Sequence, residues 1–127
     1  MKRAVLAIKN TLILEVVTKA LEYIGFFVQK SFSQDEDKIL TLVKTLSANV
    51  LIMDVTRWGD GTFDSRMSVA FSVKRQNPEI KVALLCDSVS DEDSAYRIKC
   101  AKKEGRIDAF FYESVPSDYL ADVIDSL

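Results

Sequence analysis

Histidine is absent from the 127 residues. Ser–His–Asp and Cys–His catalysis are therefore closed to this chain alone, and so are His-ligated zinc sites. Cysteine is scarce. Cys86 and Cys100 lie too far apart for paired metal ligands, and two thiols make no disulfide framework. Both read as buried free thiols of a reducing compartment. With four glycines and two prolines, the chain is neither linker-rich nor of low complexity. Neither sign of charge prevails: 17 basic residues face 19 acidic ones, for a formal net charge of −2. A nucleic-acid footprint would show a clear basic excess. No apolar run approaches the ~18 residues of a membrane span, and the one at Ala4–Ile8 is too short for a signal peptide. These absences leave a soluble, cytoplasmic protein with no membrane or nucleic-acid contact of its own. Apolar residues make up 48% of it, enough for a core, and the length suits a single domain over 1–127.

Ala4–Ile8 is continuously apolar, the mark of a strand covered on both faces. Asn10 is placed to cap a helix that carries Ile13, Val16, Val17, Ala20, Leu21 and Ile24 and ends at Gly25. Phe26–Val28 opens a second strand. Ser33 and Glu36 form a capping-box pattern ahead of Ile39, Leu42, Val43 and Leu46. Val50–Met53 is a second fully apolar strand, ending at Asp54. A polar loop with Trp58, Gly59 and Gly61 leads to a helix bearing Met67, Ala70, Phe71 and Val73. Lys81–Cys86 is the next strand. Ser90 and Asp93 suggest another capping box before Ala95, Ile98, Cys100 and Ala101, and Gly105 closes that helix. Ala109–Tyr112 is the last strand. Pro116–Ser117 starts a final helix with Leu120, Val123, Ile124 and Leu127 inward.

Strand and helix thus alternate five times along the sequence. Such βα units imply an α/β fold, with a parallel sheet, right-handed crossovers and helices on both faces. Ligands and chemistry of such sheets sit at the carboxyl ends of the strands. The residues there are Lys9 and Asn10, Asp54 to Arg57 (Thr56 among them), Cys86 to Ser88 with Asp87 between, and Glu113 with Ser114. No strand is followed by GxGxxG or GxxxxGK[ST], which argues against dinucleotide and P-loop sites. Asp54, ending an apolar strand, is a nucleophile, a metal ligand or a paired structural charge.

Asn49-Val-Leu-Ile-Met-Asp54 resembles the third strand of a response-regulator receiver domain, whose aspartate accepts a phosphoryl group. Lys74–Leu85 resembles the end of that family's third helix and its fourth strand. Gly105–Tyr112 resembles its fifth strand, and Leu120 matches a leucine of its last helix. The resemblance covers the whole chain. It implies a five-stranded parallel sheet in the order 2-1-3-4-5, doubly wound as in flavodoxin-like proteins, in a three-layer αβα sandwich.

Only the acceptor is kept at the family's site positions. The acidic pair that holds Mg²⁺ falls on Lys9 and Asn10. The Ser or Thr after the fourth strand falls on Cys86, followed by Asp87 and Ser88. The Lys and cis-proline after the fifth strand fall on Glu113 and Ser114. The switch aromatic falls on Phe110. Hard oxygen ligands for Mg²⁺ are lost, and an acid stands where the phosphoryl group meets a cation. The two charge changes suit each other. They predict the Lys9 ammonium in place of the metal, within ~4 Å of Asp54, with Glu113 as a further partner.

Other residues keep two readings. Trp58 covers the apolar mouth of the sheet or touches a partner. Asp60, Asp64 and Asp87 are solvated acids or, with Asp54 and Glu113, a replacement cation site. The loop from Arg57 to Arg66 looks longer than the family norm. Lys99, Lys102, Lys103 and Arg106 form a solvated helix face or dock an acidic partner.

The function expected is an atypical receiver. It would act in signal transduction or transcription regulation as a protein-interaction module and not as an enzyme, with no metal and no cofactor. The alternative is a working receiver phosphorylated on Asp54 by a histidine kinase with Mg²⁺. A small α/β ligand-binding protein or enzyme stands third. Partners implied by the resemblance are a histidine kinase, an output domain joined or separate, or a second copy docked through 91–127, where Tyr96, Tyr112 and Tyr119 suit an interface.

Overall fold

The computed structural model describes residues 1–87 and 92–127. The elements in chain order are β1 (Arg3–Ala7), α1 (Thr11–Tyr23), β2 (Phe27–Lys30), α2 (Glu36–Leu46), β3 (Val50–Val55), a single 3₁₀ turn (Gly59–Gly61), α3 (Phe63–Gln76), β4 (Lys81–Cys86), α4 (Glu92–Lys103), β5 (Ala109–Tyr112) and α5 (Ser117–Ser126). The strands form one sheet in the order β2-β1-β3-β4-β5, and every neighbouring pair is parallel. The expected architecture is therefore present, with strand ends within one or two residues of those the sequence suggests.

Alternation along the strands builds two cores. Val5, Leu51, Met53, Val82 and Leu84 pack with Ile39, Val43, Val69, Val73 and Ile98 of α2, α3 and α4. Leu6, Ile52, Ala83, Leu85 and Phe111 pack with Leu14, Val17, Leu21, Leu120 and Ile124 of α1 and α5. The unbroken apolar runs of β1, β3 and β4 are explained by this double cover. Each Leu or Ile buried so completely contributes about 1.5–3 kcal/mol.

Several local expectations shift. The inward stripe of α1 is Leu14, Val17, Thr18 and Leu21, whereas Val16 and Ile24 face solvent. Thr18 can sit inside because its hydroxyl donates to the Leu14 carbonyl at 2.6 Å. The cap of α2 is Asp35, which accepts from the Lys38 N–H at 3.2 Å. Ser33 instead accepts from the Asp35 N–H, and Glu36 takes the hydroxyls of Ser68 and Ser72 on α3. Asn10 caps α1 as expected, accepting from the Leu12 and Ile13 amides.

Helix α3 begins at Phe63, so its first turn takes up what reads as loop before Arg66. Phe71 is exposed, as is Leu127 at the chain's end. Cys86 is buried, Cys100 only half so, and both are free thiols. Ser90, of the capping box ahead of α4, lies outside the described residues. Among the described residues, no helix is long and apolar enough to cross a membrane.

Candidate functional site: a buried aspartate at the strand ends

β3 carries Asp54 in the same alternation as Val50 and Ile52, at the carboxyl end of the central strand. The side chain is 1% exposed. A carboxylate taken that far out of water is stable only with a full set of donors. Asp54 has them. Its Oδ1 accepts the Lys9 backbone N–H at 2.9 Å and Arg66 Nη2 at 3.1 Å. Its Oδ2 accepts the Asn10 backbone N–H at 3.1 Å.

The cation on Asp54 is thus Arg66, not Lys9, and the predicted swap is corrected. The Lys9 ammonium turns the other way, to Asp60 Oδ1 at 2.8 Å, and holds that exposed carboxyl below its usual range through this hydrogen bond. The reason is geometric. Lys9 reaches Asp54 already through its main chain, while its long side chain keeps its charge in water, where a lysine is cheapest.

Arg66 is wholly buried. Its Nε donates to the Asp54 carbonyl at 2.8 Å and its Nη2 also to the Ala7 carbonyl at 3.0 Å. One guanidinium therefore ties α3 to the ends of β1 and β3. Burial pulls it below its ordinary range and Asp54 pushes it back. Arginine suits the place because its charge persists when buried and its planar fork meets several oxygens at once.

The loop after β3 folds to make room for this contact. Thr56 receives its fold-back from Gly61, whose carbonyl accepts the Thr56 N–H at 2.8 Å, and the Thr56 hydroxyl donates to the Trp58 carbonyl. A Cβ on Gly61 would stand 2.8 Å from Thr56 Oγ1, 3.0 Å from Lys9 Cδ and 3.4 Å from Arg66 Nη2. Glycine is needed there for close approach. Trp58 is 77% exposed and does not cover the sheet.

Above Asp54 lies an open cleft of about 400 Å³, lined by Lys9, Asn10, Asp54, Val55, Thr56, Arg57, Asp87 and Glu113. Glu113 is half-buried at its rim, and no cation of the described residues pairs with it, so the expected Lys9–Glu113 contact is not made. Burial, and then the charges of Asp54 and Asp87, push its carboxyl above the usual range. Cys86 lies in the core below the cleft, its carbonyl accepting the Glu113 N–H at 2.9 Å. Phe110 stands away from the cleft, half-buried and edge-on to Tyr112 at 4.9 Å, with the Lys99 ammonium over both rings. Ser88 lies outside the described residues. Asp60 and Asp64 do not gather at the cleft as cation ligands; they pair with Lys9 and Arg97.

These residues do not fit a magnesium ion. Lys9 and Asn10, at the strand end beside Asp54, offer none of the hard carboxylates it needs, and both Asp54 oxygens already hold N–H donors. Arg66 is the residue that sequence reasoning missed. Its signal was available: Phe63, Arg66, Ala70 and Val73 share one helical spacing. An arginine inside an apolar stripe marks a buried partner. Reading Arg66 as the end of a loop hid that pattern.

Arg66→Ala leaves Asp54 buried and unpaired and should cost about 3–5 kcal/mol in chemical denaturation. Asp54→Ala should cost a similar amount, and the double variant far less than the sum of the two. Lys9→Ala, which breaks only an exposed pair, should shift stability by about 0.5 kcal/mol or less. Glu113 binds a proton more readily folded than unfolded, so it favours the fold at low pH and this contribution is lost as pH rises through its raised range. Glu113→Gln should therefore raise the melting temperature at pH 7, with a gain that vanishes below the ordinary glutamate range. A gain that persists in acid would contradict the assignment.

No protein-family model matches the sequence, and no curated protein matches it. Solved structures do. A CheY-like response-regulator receiver domain protein from Methanospirillum hungatei superposes with a TM-score of 0.75 at 18% identity, over 99% of this chain and 92% of that one. The response regulator TrrA of Thermotoga maritima, in complex with Mg²⁺ and BeF, gives 0.73 at 19% identity, over 99% and 98%. An orphan response regulator of H. pylori gives 0.71 at 17% identity, over 98% and 94%. At such identities the likeness establishes architecture, and the chain has the fold of the CheY-like response-regulator receiver domains.

Proposed function

We propose that the chain is an atypical receiver-fold signalling module, which works by protein contact and without Mg²⁺-dependent phosphorylation of Asp54. The observation that carries this reading is the buried Asp54–Arg66 pair, 3.1 Å apart with both side chains 1% exposed. An acceptor carboxylate must present a free oxygen in line with a phosphoryl donor, with cations to neutralise the transferring group. Here the oxygens are engaged by Arg66 and by two main-chain amides. The cleft sets Glu113, Asp87 and Asp54 against Lys9 and Arg57, so its lining carries no excess of positive charge for an incoming phosphate. The absence of histidine, and of a nucleophile–base pair around the cleft among the described residues, weighs against an enzyme with its own turnover.

Contact surface for such a module is offered by α4, β5 and α5. An open groove of about 570 Å³ runs there between Phe110, Tyr112, Val115, Tyr119, Val123 and Leu127, and Tyr96 and Tyr119 are exposed. Aromatic side chains of this kind supply contact area at low entropic cost. A second copy, an output domain or a kinase would meet the chain on this face.

The phosphorylation reading is tested by intact mass after incubation with acetyl phosphate and Mg²⁺. Little or no phosphate adduct is expected. Stoichiometric labelling that disappears in Asp54→Asn would overturn the proposal and establish a working acceptor. Sedimentation velocity over rising protein concentration reads the contact face. Self-association, if made there, should weaken in Tyr119→Asp and persist in Tyr23→Asp, which changes an exposed residue on α1.

A further inference from the structure

Helix α3 runs against the strands, so its last turn lies at the end of the sheet far from Asp54. Lys74 is anchored there, donating to the Ile80 carbonyl at 3.0 Å and to Asp108 Oδ2 at 2.7 Å. Beside it is a small groove of about 280 Å³ lined by Met67, Phe71, Lys74, Arg75 and Arg106. Its floor is apolar: Met67 is half-buried and Phe71 is 65% exposed. Its rim is cationic. Arg75 stacks on the Phe71 ring at 5.7 Å and makes no ion pair among the described residues. Arg106 shares its charge only with Glu104, two residues away and itself exposed. Such exposed pairs contribute little and exchange readily. Lys102 and Lys103 add charge in the last turn of α4, also without an ion pair among the described residues.

Basic residues at helix C-termini offset the helix dipole, which accounts for Lys102 and Lys103 on their own. It does not account for an aromatic ring left in water in one groove with a half-buried methionine and two guanidinium groups. Phe, Met and Arg are the residues enriched where proteins bind one another. The groove lies just under the ~300–1,000 Å³ of small-molecule pockets, a size suited to one apolar side chain. Guanidinium groups at the rim select carboxylates, which they can grip with two parallel hydrogen bonds.

We propose that this groove docks an acidic peptide segment of a partner protein, with one apolar side chain on Met67 and Phe71 and its carboxylates on Arg75 and Arg106. The chain would then carry a second contact surface, independent of the cleft at Asp54 and remote from it. It also gives a use to the basic cluster of α4 and the turn after it.

The test is an NMR titration of the ¹⁵N-labelled chain with a synthetic peptide in which a Leu–Phe pair is flanked by glutamates. Amide shifts should centre on Met67, Phe71, Arg75 and Arg106. Arg75→Glu and Phe71→Ser, both at exposed positions, should each weaken binding by about tenfold or more while leaving the rest of the spectrum in place. The same peptide with lysines for glutamates should not bind. Absence of shifts up to about 1 mM peptide would overturn the proposal, as would shifts centred on the Asp54 cleft or equal binding of the lysine peptide. A short DNA duplex that produced the same shifts with no loss in Phe71→Ser would also overturn it, and would show a patch for polyanions instead.

Discussion

The contact between Arg66 and Asp54 is the constraint on which the functional end of this molecule depends. A carboxylate at the tip of a central strand, 1% exposed, would pay several kcal/mol in lost hydration if left alone. Arg66 offsets that charge from within the protein, and its Nε and Nη2 also donate to the main chain of β3 and β1, while its buried Nη1 has no partner. The first turn of α3 must therefore lie close against the strand ends. The loop before it turns back over this contact, with Gly61 packed so closely on Thr56 and Lys9 that a Cβ there would have to displace them. A single side chain thereby sets the path of the segment from Thr56 to Phe63.

A fixed internal cation also differs in kind from a dissociable one. A bound metal can come and go and can share its charge with an incoming phosphoryl group, so a site built on it can be switched. A guanidinium that reaches Asp54 from a core helix keeps the same charge at all ordinary pH values and leaves only with rearrangement of α3. The functional interest moves to the molecule's outer faces, where the apolar and charged side chains not used by the core are found. Those faces differ in charge: Asp87 and Glu113 border the cleft above Asp54 together with Lys9 and Arg57, while Lys74, Arg75, Lys102 and Lys103 gather where α3 and α4 end.

The sequence by itself determined the layers and the order of elements. Apolar runs such as Ala4–Ile8 and Val50–Met53, short and bounded by polar residues, suit strands buried on both faces. Capping residues such as Asn10 and the turn at Pro116 act over a few bonds, so they are legible locally. The apolar run before it also placed Asp54 at a strand end, with Lys9, Asn10 and Glu113 just past the ends of β1 and β5. Tertiary structure decided which cation meets Asp54. Arg66 lies 12 positions away in the chain, and whether a helix turns its arginine inward depends on how it docks on the sheet. The same holds for Thr18 inside and Val16 outside on α1, for Glu36 bonding across to α3 rather than capping its own helix, and for Trp58 and Phe71 in solvent. Each is a choice between partners far apart in sequence, made by burial and hydrogen bonding that exist only once the layers have come together.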